Sequence, residues 1–358
     1  MSCSPSAGGW KLLVTIACAA TALGGCAAGE TRTELVGVGA SSQSAAMDGW
    51  KAGFGEREPE ISVAYDPIGS GGGREMFIAG GADFAATDVP LDDAERSEAA
   101  AHCAGTRGAI NLPVFISPIA IVYHLPELDG VTLQLSGRLV AGIFAGAITA
   151  WNDPAIAAMN PGVTLPDRRI NAVHRSDESG TTKNFTAYLD AVAPDVWTYG
   201  VIQSWDDGPR RGEGADGTSG VVESVRVGNG SVGYAEASQI GALPAAAIQV
   251  GDDFVAYTPE AAAAVLAASP RTPGRDELDF AYDLRRDVPG TYPIVLVSYH
   301  VACVQYADAE TARLVSDFLA YVVSAEGQDA AHTTSGSAPL PPDVGAQLAA
   351  AVAQISGA

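Results

Sequence analysis

"HRSDESGTTKNF", residues 174–185, holds one arginine, two acids and a Ser-Gly-Thr-Thr turn, with no apolar residue before Phe185. Just upstream, Ile170, Ala172 and Val173 read as the end of a strand. A strand that runs into a hydroxyl-rich turn and out into a helix is a building unit of α/β domains. The unit recurs. "ELVGVGASSQSAAMDGWKAGF" (34–54) gives a strand, a Gly-containing turn and a helix, with Ser41 or Ser42 where an N-cap belongs and Ala46, Met47, Trp50 and Phe54 at helical spacing. Ile61, Val63 and Tyr65 alternate as a strand that runs into "DPIGSGGGREMF" (66–77), another turn opening a helix, and "ADFAATDVPL" is a short strand ending at Asp88. The pattern predicts a largely parallel sheet, in which ligands bind beyond the carboxyl ends of the strands.

Two longer β-rich runs organise the chain. "INLPVFISPIAIVYHLPEL" (110–128) is interrupted by Pro118, and "YPIVLVSYHVACV" spans 292–304. Between them lies a block with its own strand and helix signals, so two long strands bracket an inserted domain and give two crossings between lobes. "AAAAVLAAS" (261–269) reads as helix, Gly208 to Gly220 as a Gly-rich loop, and the tail from Ala309 as helices.

With 358 residues the chain fits two domains of ordinary size, and 47% hydrophobic residues supply a substantial core. The charge is lopsided, 42 acids against 20 bases for a net −22, which repels nucleic acid and anionic headgroups. An anion site here has to work by local geometry. Residues 1–25 read as a signal peptide: Lys11 is the sole charge, and the apolar run Leu12–Leu23 is too short to span a bilayer. The run ends in Leu-Gly-Gly-Cys26, which looks like a bacterial lipobox and implies lipid on Cys26 and a tether over 26–33; the alternative is an ordinary signal peptide with an incidental Cys. Of the remaining thiols, Cys103 and Cys303 read as one disulfide in an exported protein, against two separate buried thiols. No CxxC and no metal-ligand spacing among the five histidines is present, so no metal or cofactor is indicated.

The polar turns at the strand ends are Ala40-Ser41-Ser42, Gly69-Ser70-Gly71-Gly72-Gly73 and Asp177-Glu178-Ser179-Gly180-Thr181. Each presents free backbone N–H groups and hydroxyls at a helix start, which binds an anion without a large positive field. Arg175 adds a guanidinium for bidentate contact, and Asp177, two residues on, can hold it in place. Singly such turns are only caps; three of them with an arginine put an anion site on an equal footing. From the residues alone Asp88 reads as a turn residue and His174 as a solvent-facing strand end.

Six stretches together, "GVGASS" (37–42), "IGSGGG" (68–73), "DFAATDVPL" (83–91), "ITAWNDPAIAAMNPG" (148–162), "HRSDESGTT" (174–182) and "SVGYAEAS" (231–238), resemble the phosphate-binding lipoprotein (PstS-type) of the bacterial high-affinity phosphate ABC transporter, in the family's order and over most of the chain after the signal peptide. The resemblance implies a two-lobed periplasmic-binding-protein fold (Venus-flytrap, type II), each lobe a mixed, mostly parallel sheet flanked by helices. Residues 34–116 plus 295–358 form lobe I and 117–294 lobe II. It implies phosphate contacts from Ser41, Ser42, Ser70, Asp88, Arg175, Ser179, Gly180 and Thr181, with Asp177 as the partner of Arg175. The family often has Thr-Phe where this chain has Ser41-Ser42, so Ser42 is a departure. Asp88 matches a buried carboxylate that meets the ligand's proton: an ionised Asp only accepts hydrogen bonds, so it suits hydrogen phosphate and opposes sulfate. The resemblance also implies no catalysis, ABC permease subunits as partners, a monomer, and a place outside the cytoplasm, anchored by lipid on Cys26 to the outer face of the cell membrane. The alternatives are a binder of another tetrahedral oxyanion, such as sulfate or molybdate, and a phosphatase or esterase with Ser179 as nucleophile, although no G-x-S-x-G surrounds Ser179.

Overall fold

The structure, a computed structural model, describes residues 32–128 and 130–358. The signal peptide, Cys26 and most of the tether lie outside the described residues. The first part of the chain is β1 (Glu34–Gly39), α1 (Ser44–Arg57), β2 (Ser62–Asp66), α2 (Ser70–Ile78), β3 (Phe84–Thr87), α3 (Asp93–Ala99) and β4 (Ala109–Tyr123). The middle holds β5 (Gln134–Leu135), α4 (Gly137–Phe144), α5 (Pro154–Met159), β6 (Asn171–Arg175), α6 (Gly180–Val192), β7 (Glu213–Ala215), α7 (Gly217–Val227), β8 (Ser231–Glu236), β9 (Ala247–Val250), β10 (Asp253–Val255) and α8 (Pro259–Ala268). The last part is β11 (Val295–Cys303), β12 (Gln305–Tyr306), α9 (Ala309–Val323), α10 (Ala325–Ser335), α11 (Pro342–Val352) and β13 (Ser356–Gly357).

Eight strands form one mixed sheet in the order β2-β1-β3-β11-β4-β8-β6-β7. The triplets β2-β1-β3 and β8-β6-β7 are parallel, and the central pair β11 and β4 is antiparallel to its neighbours. Both central strands are buried along their whole length, which is why they read as near-continuous apolar runs. Beside one triplet pack Trp50, Phe54, Phe77, Phe84 and Phe318; beside the other, Phe144, Phe185, Trp205 and Tyr234. Both parallel triplets end in the turns that carry the candidate site, so the sheet itself brings them to one place.

Pro118 does not interrupt β4. It pairs with Val295 of β11, and the next residue, Ile119, pairs with Glu236 of β8. The proline, which lacks an N–H to give, falls where the strand changes partner. The Gly-rich stretch 208–220 is not wholly loop. It contributes β7, an edge strand, and opens α7 at Gly217. Cys103 and Cys303 are joined, Cα to Cα 5.3 Å, closing a span of 200 residues. The segment before β11 folds back on β4: the N–H and Nδ2 of Asn111 both donate to Oδ1 of Asp279, at 3.0 and 2.7 Å. Among the described residues, no helix is long and apolar enough to cross a membrane.

Candidate anion-binding site

β1 ends in Gly39, whose φ of +136° turns the chain sharply; a Cβ there would stand 1.9 Å from the carbonyl oxygen of Ala86. After it, Ser41–Gln43 is a 3-10 turn leading into α1. Neither Ser41 nor Ser42 caps the helix through its side chain, contrary to the sequence expectation. Their hydroxyls are drawn into tertiary contacts: Ser42 Oγ donates to Asp88 Oδ1 at 2.6 Å, and Ser41 Oγ accepts the Thr218 N–H at 3.1 Å. The 3-10 geometry leaves the turn's side chains free for that.

Asp88 follows β3 and is 4% exposed. Oδ1 receives Ser42 and Ser298, each at 2.6 Å, and Oδ2 receives Thr181 Oγ1 at 3.0 Å. Burial pushes this carboxyl above its ordinary range, while the hydroxyls of Ser298, Ser42 and Thr181, and then the charge of Arg175, pull it back down. The Asp88 N–H donates to Ser70 Oγ at 3.1 Å, so the hydroxyl proton of Ser70 stays available for another acceptor.

Arg175, the last residue of β6, is buried. Its Nε donates to Asp177 Oδ1 at 2.6 Å and its Nη2 to Asp177 Oδ2. That fork uses one edge of the guanidinium and leaves the Nη1–Nη2 edge for a bidentate contact. The Gly217 N–H holds Asp177 Oδ1 from the far side at 3.2 Å. Ser179 is the N-cap of α6, its Oγ accepting the Thr182 N–H at 3.1 Å. Gly180 has to be glycine for another reason: a Cβ would lie 2.6 Å from Ser70 Oγ and 2.7 Å from Asp88 Cβ.

The structure therefore gathers Ser42, Ser70, Asp88, Gly180 and Thr181 into direct mutual contact, with Arg175–Asp177, Ser179 and Ser41 on elements that end at the same place. Contacts between the two triplets run close by. Gly71 N–H donates to Glu178 O at 3.1 Å, Asn184 Nδ2 to Asp88 O at 2.8 Å, and Gln239 Nε2 to Ser41 O at 2.9 Å. Sequence reasoning passed over Gln43, Gly217, Thr218, Gln239 and Ser298. His174 is not a free strand end: it is half-buried, stacked 4.4 Å from Trp205 with an interplanar angle of 7°. It points away from Arg175, its strand neighbour, as alternation requires.

Polar turns at the carboxyl ends of two parallel triplets, joined through two long antiparallel strands, define the α/β architecture of a solute-binding protein. The family model of the PBP superfamily domain matches residues 26–326. Phosphate-binding protein PstS2 of Mycobacterium bovis is 36% identical over 91% of this chain and 88% of its own length. Phosphate-binding protein PstS of Haemophilus influenzae is 33% identical over 87% and 90%. Among solved structures, the phosphate-binding protein from Stenotrophomonas maltophilia superposes with a TM-score of 0.71 at 21% identity, over 89% of this chain and 94% of that one. The chain belongs to the PBP superfamily and, within it, to the PstS phosphate-binding proteins.

Proposed function

We propose that this chain binds inorganic phosphate outside the cytoplasm and delivers it to the permease of an ABC transporter. Residues 34–116 with 295–358 and residues 117–294 act as two lobes that close on the ligand, the segment around Asp279 reaching back across. Lipid on Cys26 anchors the protein to the outer face of the membrane. The carrying observation is Asp88. A buried carboxylate stands among hydroxyl donors and beside an arginine edge, in a place otherwise arranged for an anion. It suits a tetrahedral oxyanion only if that oxyanion brings a proton of its own to donate. Hydrogen phosphate does so at neutral pH and sulfate does not.

The names of the relatives agree with this reading, and another structural neighbour, a high-affinity periplasmic phosphate-binding protein at TM-score 0.71, was solved with phosphate bound. Ser41, Ser70 and Ser179 supply hydroxyls, the start of α6 supplies the N–H groups of Gly180 and Thr181, and Arg175 supplies its free edge. For a nucleophile, Ser179 would need a base, and among the described residues no histidine is hydrogen-bonded to it; its oxygen is occupied as a cap. Isothermal titration of the chain with phosphate, sulfate and arsenate tests the reading. Phosphate and arsenate should bind and sulfate should fail to compete; equal binding of sulfate would contradict it.

A further inference from the structure

Behind Asp88 lies a run of buried polar side chains. Ser298 and His300 stand at alternate positions on β11, and Gln43 projects from the 3-10 turn toward both; all three are fully buried. Gln43 Nε2 is 2.6 Å from Ser298 Oγ, Gln43 Oε1 is 3.0 Å from His300 Nε2, and Ser298 Oγ is 2.6 Å from Asp88 Oδ1.

The direction of each bond can be settled. Gln43 Nε2 also lies 3.4 Å from the carbonyl oxygen of Tyr299, which can only accept, so the amide nitrogen faces β11. Its oxygen then faces His300, and His300 must carry its proton on Nε2. The ring sits among Trp50, Phe84 and Phe318, and burial holds its pKa down at about 3, so it is neutral. Gln43 donates to Ser298, and among the described residues the Ser298 hydroxyl finds its acceptor in Asp88. The proton order is therefore His300 to Gln43 to Ser298 to Asp88. A protonated Asp88 donating to Ser298 would leave the serine's own proton without a partner.

The acceptor positions of Asp88 can now be counted. A carboxylate offers about four lone pairs, two on each oxygen. Ser42 and Ser298 fill Oδ1, and Thr181 fills one position on Oδ2. We propose that Ser42 and Ser298, the latter locked by Gln43 and His300, are the specificity-determining pair: their hydroxyls saturate Oδ1 of Asp88 and leave a single acceptor position, on Oδ2 beside Thr181, for the ligand's proton. Gln43 and His300 are positioning residues and do not touch the ligand. The inference rests on the phosphate reading above. It also gives a purpose to Ser42, where the family often has Phe: a phenyl ring has no proton to give to Oδ1.

The other ionisable groups around Asp88 are Arg175 from β6, Tyr65 from β2 and, along the cavity that opens on it, Lys183 from α6, Tyr299 from β11, and Tyr282, Asp283 and Arg286 from the segment before β11. They are the same in every variant of the test. The test is the phosphate-to-sulfate affinity ratio, with sulfate as competitor, across pH 5 to 8 at one ionic strength, in wild type, Ser42→Ala, Ser298→Ala and the double variant. Losing a hydrogen bond to a charged group should lower the ratio by about tenfold or more in each single variant. It should also move the onset of sulfate binding to higher pH, because a less-supported Asp88 takes up a proton more readily and becomes a donor. A merely structural loss would weaken both anions alike and leave the onset in place. An unchanged ratio and onset in folded single variants, with wild type binding phosphate selectively, overturns the assignment and leaves the phosphate reading intact. Wild type that does not bind phosphate overturns both.

Discussion

Arg175 and Asp177 form a two-pronged ion pair within one turn of chain, Nε to Oδ1 at 2.6 Å and Nη2 to Oδ2, with side chains 3% and 13% exposed. The pair fixes the plane of the guanidinium before any ligand arrives. Preorganisation of this kind spares a ligand the entropy of ordering the side chain. Truncation of a desolvated charge partner costs roughly 2–5 kcal/mol, so Arg175→Ala should weaken phosphate binding by ~30- to 4000-fold. Titration calorimetry reads this directly, and an affinity within a factor of about three of wild type would show that Arg175 does not grip the anion.

Gly180 packs directly against Ser70 and Asp88. A methyl group there overlaps Ser70 and Asp88, both held by other hydrogen bonds, so it acts as a wedge between the two parts of the site. Overpacking costs roughly 1–3 kcal/mol. Expressed in phosphate binding, that is about 5- to 150-fold in affinity. Gly180→Ala should show this loss by titration calorimetry. Unaltered affinity would mean the approach of α6 to Asp88 is not needed for binding.

Glu236, at the end of β8, is fully buried and accepts from the Ser117 hydroxyl and from both the N–H and hydroxyl of Ser238. It opens the 3-10 turn Ala237–Gln239, whose Gln239 holds the carbonyls of Ser41 and Ser42. Burial pushes its carboxyl up from 4.5 to about 7, against the pull of those donors. With the folded pKa raised, the folded state binds the extra proton between these values. The contribution is fully present below pH ~4.5 and is lost as pH rises through ~7, on the order of 3 kcal/mol. Urea unfolding of wild type and Glu236→Gln at several pH values should show the difference between their stabilities changing by about that amount across the window. Parallel curves would contradict the raised pKa.

Much of this site was legible from the chain because its parts are local. The Ser70 and 179–181 turns each follow a strand visible in the sequence and open a helix, whereas Asp88 reads from the residues alone only as a turn residue and its role comes from the family resemblance. What was missed is nonlocal. Thr218 meets Ser41 across 177 positions and Ser298 meets Asp88 across 210, and no local pattern encodes such pairs. A signal did exist for β11: Ser298 and His300 are polar residues at i and i+2 in an otherwise apolar central strand, and buried polar groups on one face demand partners. Gly208–Gly220 misled because its glycines suggest loop, whereas they serve the close packing of an edge strand and the start of α7. Pro118 misled because a strand that changes partners can place a proline at the change.

The central claim is that Asp88 is an ionised acceptor that reads a proton on the ligand. Asp88→Asn keeps the shape, removes the charge and supplies an amide that can donate to a fully deprotonated oxyanion. The lost charge helps phosphate and sulfate alike and cancels between them. The decisive measurement is the phosphate-to-sulfate affinity ratio of Asp88→Asn against wild type at one pH and ionic strength. A collapse of the ratio, driven by gained sulfate binding with phosphate affinity largely kept, is the predicted result, and a ratio equal to that of wild type would contradict the account.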